Sequence, residues 1–129
     1  MRPEYAIGLA IFALEKKKGG ATIGLRRDIV KEVQHLKNQG IVVAGVRIRP
    51  SLEGPSSEEI SDFVGRLAMT GHLRQESPIR LTDEGRELIR TQIQKGFQND
   101  SEREEITRAL SLLGLSPEVI SSHQVVLAI

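Results

Sequence analysis

Residues 54–90 read GPSSEEISDFVGRLAMTGHLRQESPIRLTDEGRELIR, and the punctuation of this stretch decides the fold. Gly54-Pro55 breaks the chain, and Ser56 with Glu59 has the spacing of a capping box. Ile60, Phe63, Val64 and Leu67 follow at helical spacing and Gly71 stops the run, which predicts a helix over residues 57–70. Residues 73–76 and 79–81 then read as two strands joined across Ser77-Pro78. Thr82 is a cap for a further helix carrying Leu88, Ile89, Ile93 and Phe97.

Upstream, Pro3 suits a first helical turn, and Ile7, Ile11 and Leu14 continue at helical spacing, so residues 3–18 read as a helix. Gly19 and Gly20 end it. Thr22 is placed to cap a second helix whose apolar stripe runs Leu25, Ile29, Val33 and Leu36 until Gly40. Residues 41–49 change period: Val42, Ala44, Val46 and Ile48 alternate against Arg47 and Arg49, the pattern of a strand. Pro50 and Gly54-Pro55 then mark a turn. Downstream, Ser101 with Glu104 forms a second capping box for a helix bearing Ile106, Ala109, Leu110 and Leu113, stopped by Gly114. Ser116-Pro117 starts one more short helical turn, and residues 125–129 (VVLAI) form an apolar tail. No internal repeat or low-complexity segment interrupts this order.

At 129 residues the chain is one domain's worth, enough for a core that needs no metal or disulfide. The absence of cysteine removes thiolate nucleophiles, disulfides and cysteine-ligated zinc together, and fits a reducing compartment. Residues 6–14 are apolar, but Pro3 and Glu4 stand where a signal peptide needs cations, and the run is too short to span a bilayer. The expectation is a soluble cytoplasmic protein with no membrane association. Tyr5, Phe12, Phe63 and Phe97 are all the aromatic residues there are, which leaves little to stack on unpaired bases. A net charge of +1 conceals an asymmetry: residues 1–50 hold ten Lys or Arg against four acids, the remainder eight against thirteen. The basic half is where a polyanion would sit, although small domains also divide their charge unevenly without consequence.

The string GPSSEEISDFVGRLAMTGHL followed by RLTDEGREL resembles a pattern in small winged-helix proteins of the helix-turn-helix superfamily. In them an extended segment ends in Gly-Pro, a Ser-capped helix follows, and a Leu-Thr-x-x-Gly start opens the helix after the wing. The nearest resemblance is to Panacea-type antitoxin domains, over about residues 5–93, with Arg26–Leu36 and Gly40 matching the second helix. Leu-Thr-x-x-Gly also recurs in regulators of the MarR and PadR kind. Ser51, Leu52 and Glu53 stand where such relatives often carry aromatic residues. The resemblance implies an α+β, mostly helical winged-helix domain with a core over 3–97 and a helical extension over 101–129. It also implies a homodimer formed through helices outside the wing. The apolar tail points the same way, being a hazard if left in water.

No chemistry-bearing constellation stands out. His35, His72 and His123 are far apart along the chain and lack metal-ligand spacing. Residues 19–24 are glycine-rich, but the lysines precede them, whereas a P-loop ends in Gly-Lys-Ser/Thr. Glu58, Glu59 and Asp62 read as acids that complement a helix N-terminus. Neither a catalytic residue nor a cofactor is expected. If Ile60, Phe63, Val64 and Leu67 face inward, the outer face of that helix presents Glu58, Asp62, Gly65 and Met69, which is ill suited to phosphates. The segment 41–55 is also too long for the tight turn of a helix-turn-helix reader. Cations gather elsewhere. Arg27 and Lys31, with Gln34 and Asn38, share an outward stripe of the second helix, Arg26 adjoins it, Lys17 and Lys18 precede it, and the wing carries Arg74 and Arg80. Two functions are therefore expected. One is a non-enzymatic regulator that binds double-stranded DNA by phosphate contacts from these residues. The other is an antitoxin-like module that meets a protein partner and binds no DNA.

Overall fold

The computed structural model describes residues 1–20 and 22–120; the apolar tail and His123 lie outside the described residues. The chain is α+β and mostly helical. In order along it are α1 (Pro3–Lys17), α2 (Arg26–Asn38), β1 (Arg49–Ser51), β2 (Gly54–Ser56), α3 (Glu58–Met69), β3 (Leu73–Glu76), β4 (Ile79–Leu81), α4 (Asp83–Phe97), α5 (Asp100–Leu112) and a short 3₁₀ turn (Pro117–Ile120).

Helix α1 is the centre of the molecule. Every residue from Tyr5 to Leu14 is buried, so the inward stripe expected from Ile7, Ile11 and Leu14 is in fact an inward helix with no solvent face. A helix apolar all round is stable in water only if neighbours cover every side, and α2, α4 and α5 pack around it. Two glycines set how close α4 comes. A Cβ at Gly8 would lie 2.7 Å from Ile89 Cγ2, and one at Gly96 would lie 2.6 Å from the Tyr5 ring. Arg86 of α4 clamps the far end, donating to both oxygens of Glu15 at 2.6–3.2 Å.

Gly19 and Gly20 end α1 with φ of 70° and 84°. The chain then passes through a single antiparallel bridge between Gly24 and Ile79. Ile23 N–H donates to the Ile79 carbonyl at 2.8 Å and Ile79 N–H returns to Gly24 at 2.6 Å. Thr22 is not the cap of α2, because its hydroxyl donates to the same Ile79 carbonyl at 2.9 Å. The open amide at Leu25 is instead accepted by the Asp28 carboxylate at 2.8 Å.

Residues 41–48 are not a strand. Ile41, Val43 and Val46 are the buried ones, while Val42 and Ala44 are exposed, so of the expected inward face only Val46 and the half-buried Ile48 turn inward. A strand needs a pairing edge, and here the backbone groups find other partners. The Val42 carbonyl accepts from the Met1 amino group at 2.8 Å and the Val46 carbonyl from Lys37 Nζ at 2.8 Å. The Glu59 carboxylate accepts Arg47 N–H at 2.7 Å. Gly45, with φ of 75°, breaks the alternation. Strand pairing begins only at Arg49, where β1 and β2 form a hairpin with Pro50 opposite Pro55.

Both expected capping boxes shift by one or two residues. Ser57, not Ser56, accepts the open Ile60 amide at the start of α3, which leaves Glu59 free to hold Arg47. Asn99 displaces Ser101 at the start of α5, its side-chain oxygen accepting Ser101 N–H at 3.0 Å. The stretch 72–85 agrees with expectation. β3 and β4 pair antiparallel around Ser77-Pro78, with a register irregularity between Leu73 and Gln75. The Thr82 hydroxyl caps α4 by accepting Gly85 N–H at 2.9 Å.

This also explains the glycine of Leu-Thr-x-x-Gly. The His72 carbonyl accepts Thr82 N–H at 3.0 Å, and any Cβ at Gly85 would lie 2.2 Å from that same oxygen. Backbone cannot yield as a flexible side chain does, so overpacking here acts on the hairpin and α4 together. Gly65 of α3 is the internal control, since a Cβ there meets nothing within 4 Å. Gly85→Ala is expected to lower stability by about 3 kcal/mol. Gly65→Ala should raise it by about 0.5 kcal/mol through helix propensity. Urea midpoints at constant m-value measure both, and equal shifts would contradict this packing.

Candidate nucleic-acid interface

The outward stripe of α2 is formed as the helical period requires: Arg27, Lys31 and Asn38 are exposed and Gln34 is half-buried, opposite Ile29, Val33 and Leu36. Beside the start of this helix lies the β3–β4 hairpin, seated there by the Gly24–Ile79 bridge. Ile79 and Leu81 turn inward and are buried, and Arg74 and Arg80 are exposed. Arg26 reaches across to Glu76 of the hairpin at 3.7 Å. Arg26, Arg27 and Glu76 share a polar cleft of about 270 Å³ with residues of the β1–β2 hairpin and with Ser57 and Ser61 of α3. Two helix N-termini and two hairpins thus converge on one polar recess.

The lysines before α2 divide in role. Lys17 is bound to Glu32, a carboxylate on the inner side of α2 that is only 11% exposed, so this cation is committed to joining α1 to α2. Lys16 donates to the Gly114 carbonyl at 2.5 Å. Lys18 is exposed at the end of α1. Of the seven cations singled out from sequence, Lys17 and Arg26 therefore have acidic partners, and the side chains of Lys18, Arg27, Lys31 and Arg74 reach solvent.

Sequence reasoning missed Arg49 as a member of this surface. Arg47 and Arg49 read from sequence as the polar face of a strand; both are exposed, before and within β1, and Arg49 lines one shallow groove with Gln34 of α2, while Arg47 lies beside Glu58 and Glu59 of α3. No periodic signal could have placed Arg49 there, because β2 packs on α2 only through the tertiary fold. The acid on the β3–β4 hairpin, Glu76, was visible in the sequence, but its contact with Arg26 was not.

Helix α3 presents the expected acidic outer face. Glu58, Asp62 and Met69 are exposed, and Arg66 is exposed at the edge of that face, one turn after Asp62. The carboxyl of Glu59 sits below its usual range, chiefly because Arg47 N–H donates to it. His35 is exposed, and His72 Nδ1 lies 2.6 Å from the Thr70 hydroxyl. Among the described residues, no group of three or more His, Asp or Glu is placed to hold a metal ion. Nor is any helix among them long and apolar enough to cross a membrane. No protein-family model, curated protein or solved structure matches the chain.

The two α2-proximal lysines separate fold from surface. Lys17→Ala leaves the mostly buried Glu32 carboxylate without its partner and should cost about 1 kcal/mol. Lys31→Ala on the outer stripe should change stability by less than about 0.5 kcal/mol. Thermal unfolding of the two single variants makes the comparison, and a larger loss for Lys31→Ala would overturn the assignment.

Proposed function

We propose that this chain is a winged-helix regulatory domain that holds duplex DNA by phosphate contacts from α2 and the β3–β4 hairpin. The observation that carries the reading is the pairing of Ile79 with Ile23 and Gly24. It seats the hairpin bearing Arg74 and Arg80 beside the start of α2, the helix that carries Arg27 and Lys31. The order of helix, isolated bridge, helix, β1–β2 hairpin, helix and β3–β4 hairpin supports a winged-helix reading, with α4 and α5 following it. A cationic helix beside a cationic hairpin suits a phosphate backbone, and such contacts position a duplex without reading its bases. The acidic outer face of α3 is turned to other uses.

A second reading, an interaction module for a protein partner, draws on that face. Met69 is 88% exposed at the end of α3, and Leu52 is fully exposed at the tip of β1–β2. Large apolar side chains in such places suit protein contacts.

A salt series of duplex-DNA binding decides between the two. Affinity dominated by phosphate contacts falls steeply as salt rises. Arg27→Ala with Lys31→Ala should weaken binding to all sequences and flatten the log–log salt slope by up to about two units. Glu58→Lys with Asp62→Lys should leave affinity unchanged or raise it. Salt-independent binding by the parent chain, or loss of sequence preference in the Glu58/Asp62 variant, would refute the phosphate reading.

A further inference from the structure

A groove of about 520 Å³ opens where the start of α1, the second half of α3 and the middle of α4 meet. None of its lining residues comes from α2, β3 or β4, so it is independent of the surface described above. Its floor is apolar: Tyr5, Phe63 and Leu67 are buried, and Leu88 is half-buried beside them. Burial, and then the charge of Glu102, push the Tyr5 hydroxyl above its ordinary pKa, so the ring stays neutral.

The rim is cationic. Arg2 has acidic company, with Glu4 at 4.0 Å and Glu102 at 3.5 Å. Arg66 and Lys95, also on the rim, are exposed and form no ion pair with any described acid. Glu4, the one carboxylate lining the groove among the described residues, is paired with Arg2. The groove therefore offers an apolar bed with two uncompensated cations above it. Its volume falls in the range of small-molecule sites, about 300–1,000 Å³.

We propose that this groove binds an organic monoanion with an apolar body, its acid group facing Arg66 and Lys95 and its body lying on Tyr5, Phe63, Leu67 and Leu88. An inorganic anion would leave the apolar floor unused. A neutral apolar molecule would leave the two cations unused. A phosphate backbone would gain nothing from the floor and would meet Glu4.

The test uses two dyes on the full chain: anionic 8-anilinonaphthalene-1-sulfonate and neutral N-phenyl-1-naphthylamine. The anionic dye should bind one per chain, with an affinity that falls as salt rises. Arg66→Gln with Lys95→Gln removes two exposed charges and should weaken the anionic dye by about tenfold or more, the loss of a charge-assisted contact. The neutral dye should be unaffected by that change. Gln92→Trp, which fills the groove from α4, should weaken both dyes. Decanoate should displace the anionic dye where decanol at equal concentration does not. The proposal is overturned if the charge-removing pair leaves the anionic dye unchanged, or if Gln92→Trp leaves both unchanged.

Discussion

The rest of the structure depends on the burial of α1. A fifteen-residue helix with ten consecutive buried positions has no face to give to water, so the other helices are arranged to cover it. Each large apolar side chain taken out of water contributes about 1.5–3 kcal/mol, and close packing decides how much of that is kept. Gly8 and Gly96 bring α1 and α4 into backbone proximity, with Ile89, Ile93 and the Tyr5 ring occupying the space where side chains would otherwise stand. Arg86 against Glu15 adds a charged clamp at the other end of the same crossing, and the carboxylate beside it holds the guanidinium firmly protonated.

From this core the surface elements take their positions. The Ile79 bridge fastens the β3–β4 hairpin to the segment just after α1, and the His72 carbonyl, pressed against Gly85, fastens its base to α4. The hairpin is thus held at two points by backbone contacts, alongside the buried side chains of Ile79 and Leu81. Arg90, buried in α4, donates to the Ile120 carbonyl at 3.1 Å and ties the last described residues to the same helix. The hairpin cations and the α2 cations inherit a fixed relation from these ties, and the proposed joint phosphate contact rests on it.

Legibility in the sequence followed locality. The helix over 58–69, the hairpin around Ser77-Pro78 and the Thr82 cap were readable because each is decided within a few residues by a cap, a glycine stop or a turn. The segment 41–48 was not, since its alternating valines carried a strand pattern with no edge to pair with, and its real partners are Met1, Lys37 and Glu59. Caps failed by one or two residues where two candidates competed, as Ser56 did with Ser57. Of the candidate site, the exposed stripe of α2 and the outward arginines of the β3–β4 hairpin were visible in the periodicity. What could not be read was which cations the fold pairs with acids: Lys17 meets Glu32, and Arg26 meets Glu76, through contacts made only in three dimensions. Arg49 escaped notice for the opposite reason, since the fold brings it beside Gln34 of α2, a contact that sequence distance concealed.

The central claim is that α2 and the β3–β4 hairpin act together on the phosphates of a duplex while the outer face of α3 stands apart. Amide chemical-shift mapping during titration with a short DNA duplex tests it residue by residue. The account predicts salt-sensitive shifts at residues 26–31 and 74–80, with the amides around Glu58 and Asp62 unmoved. Shifts concentrated on the exposed face of α3, or shifts at neither place, would contradict it.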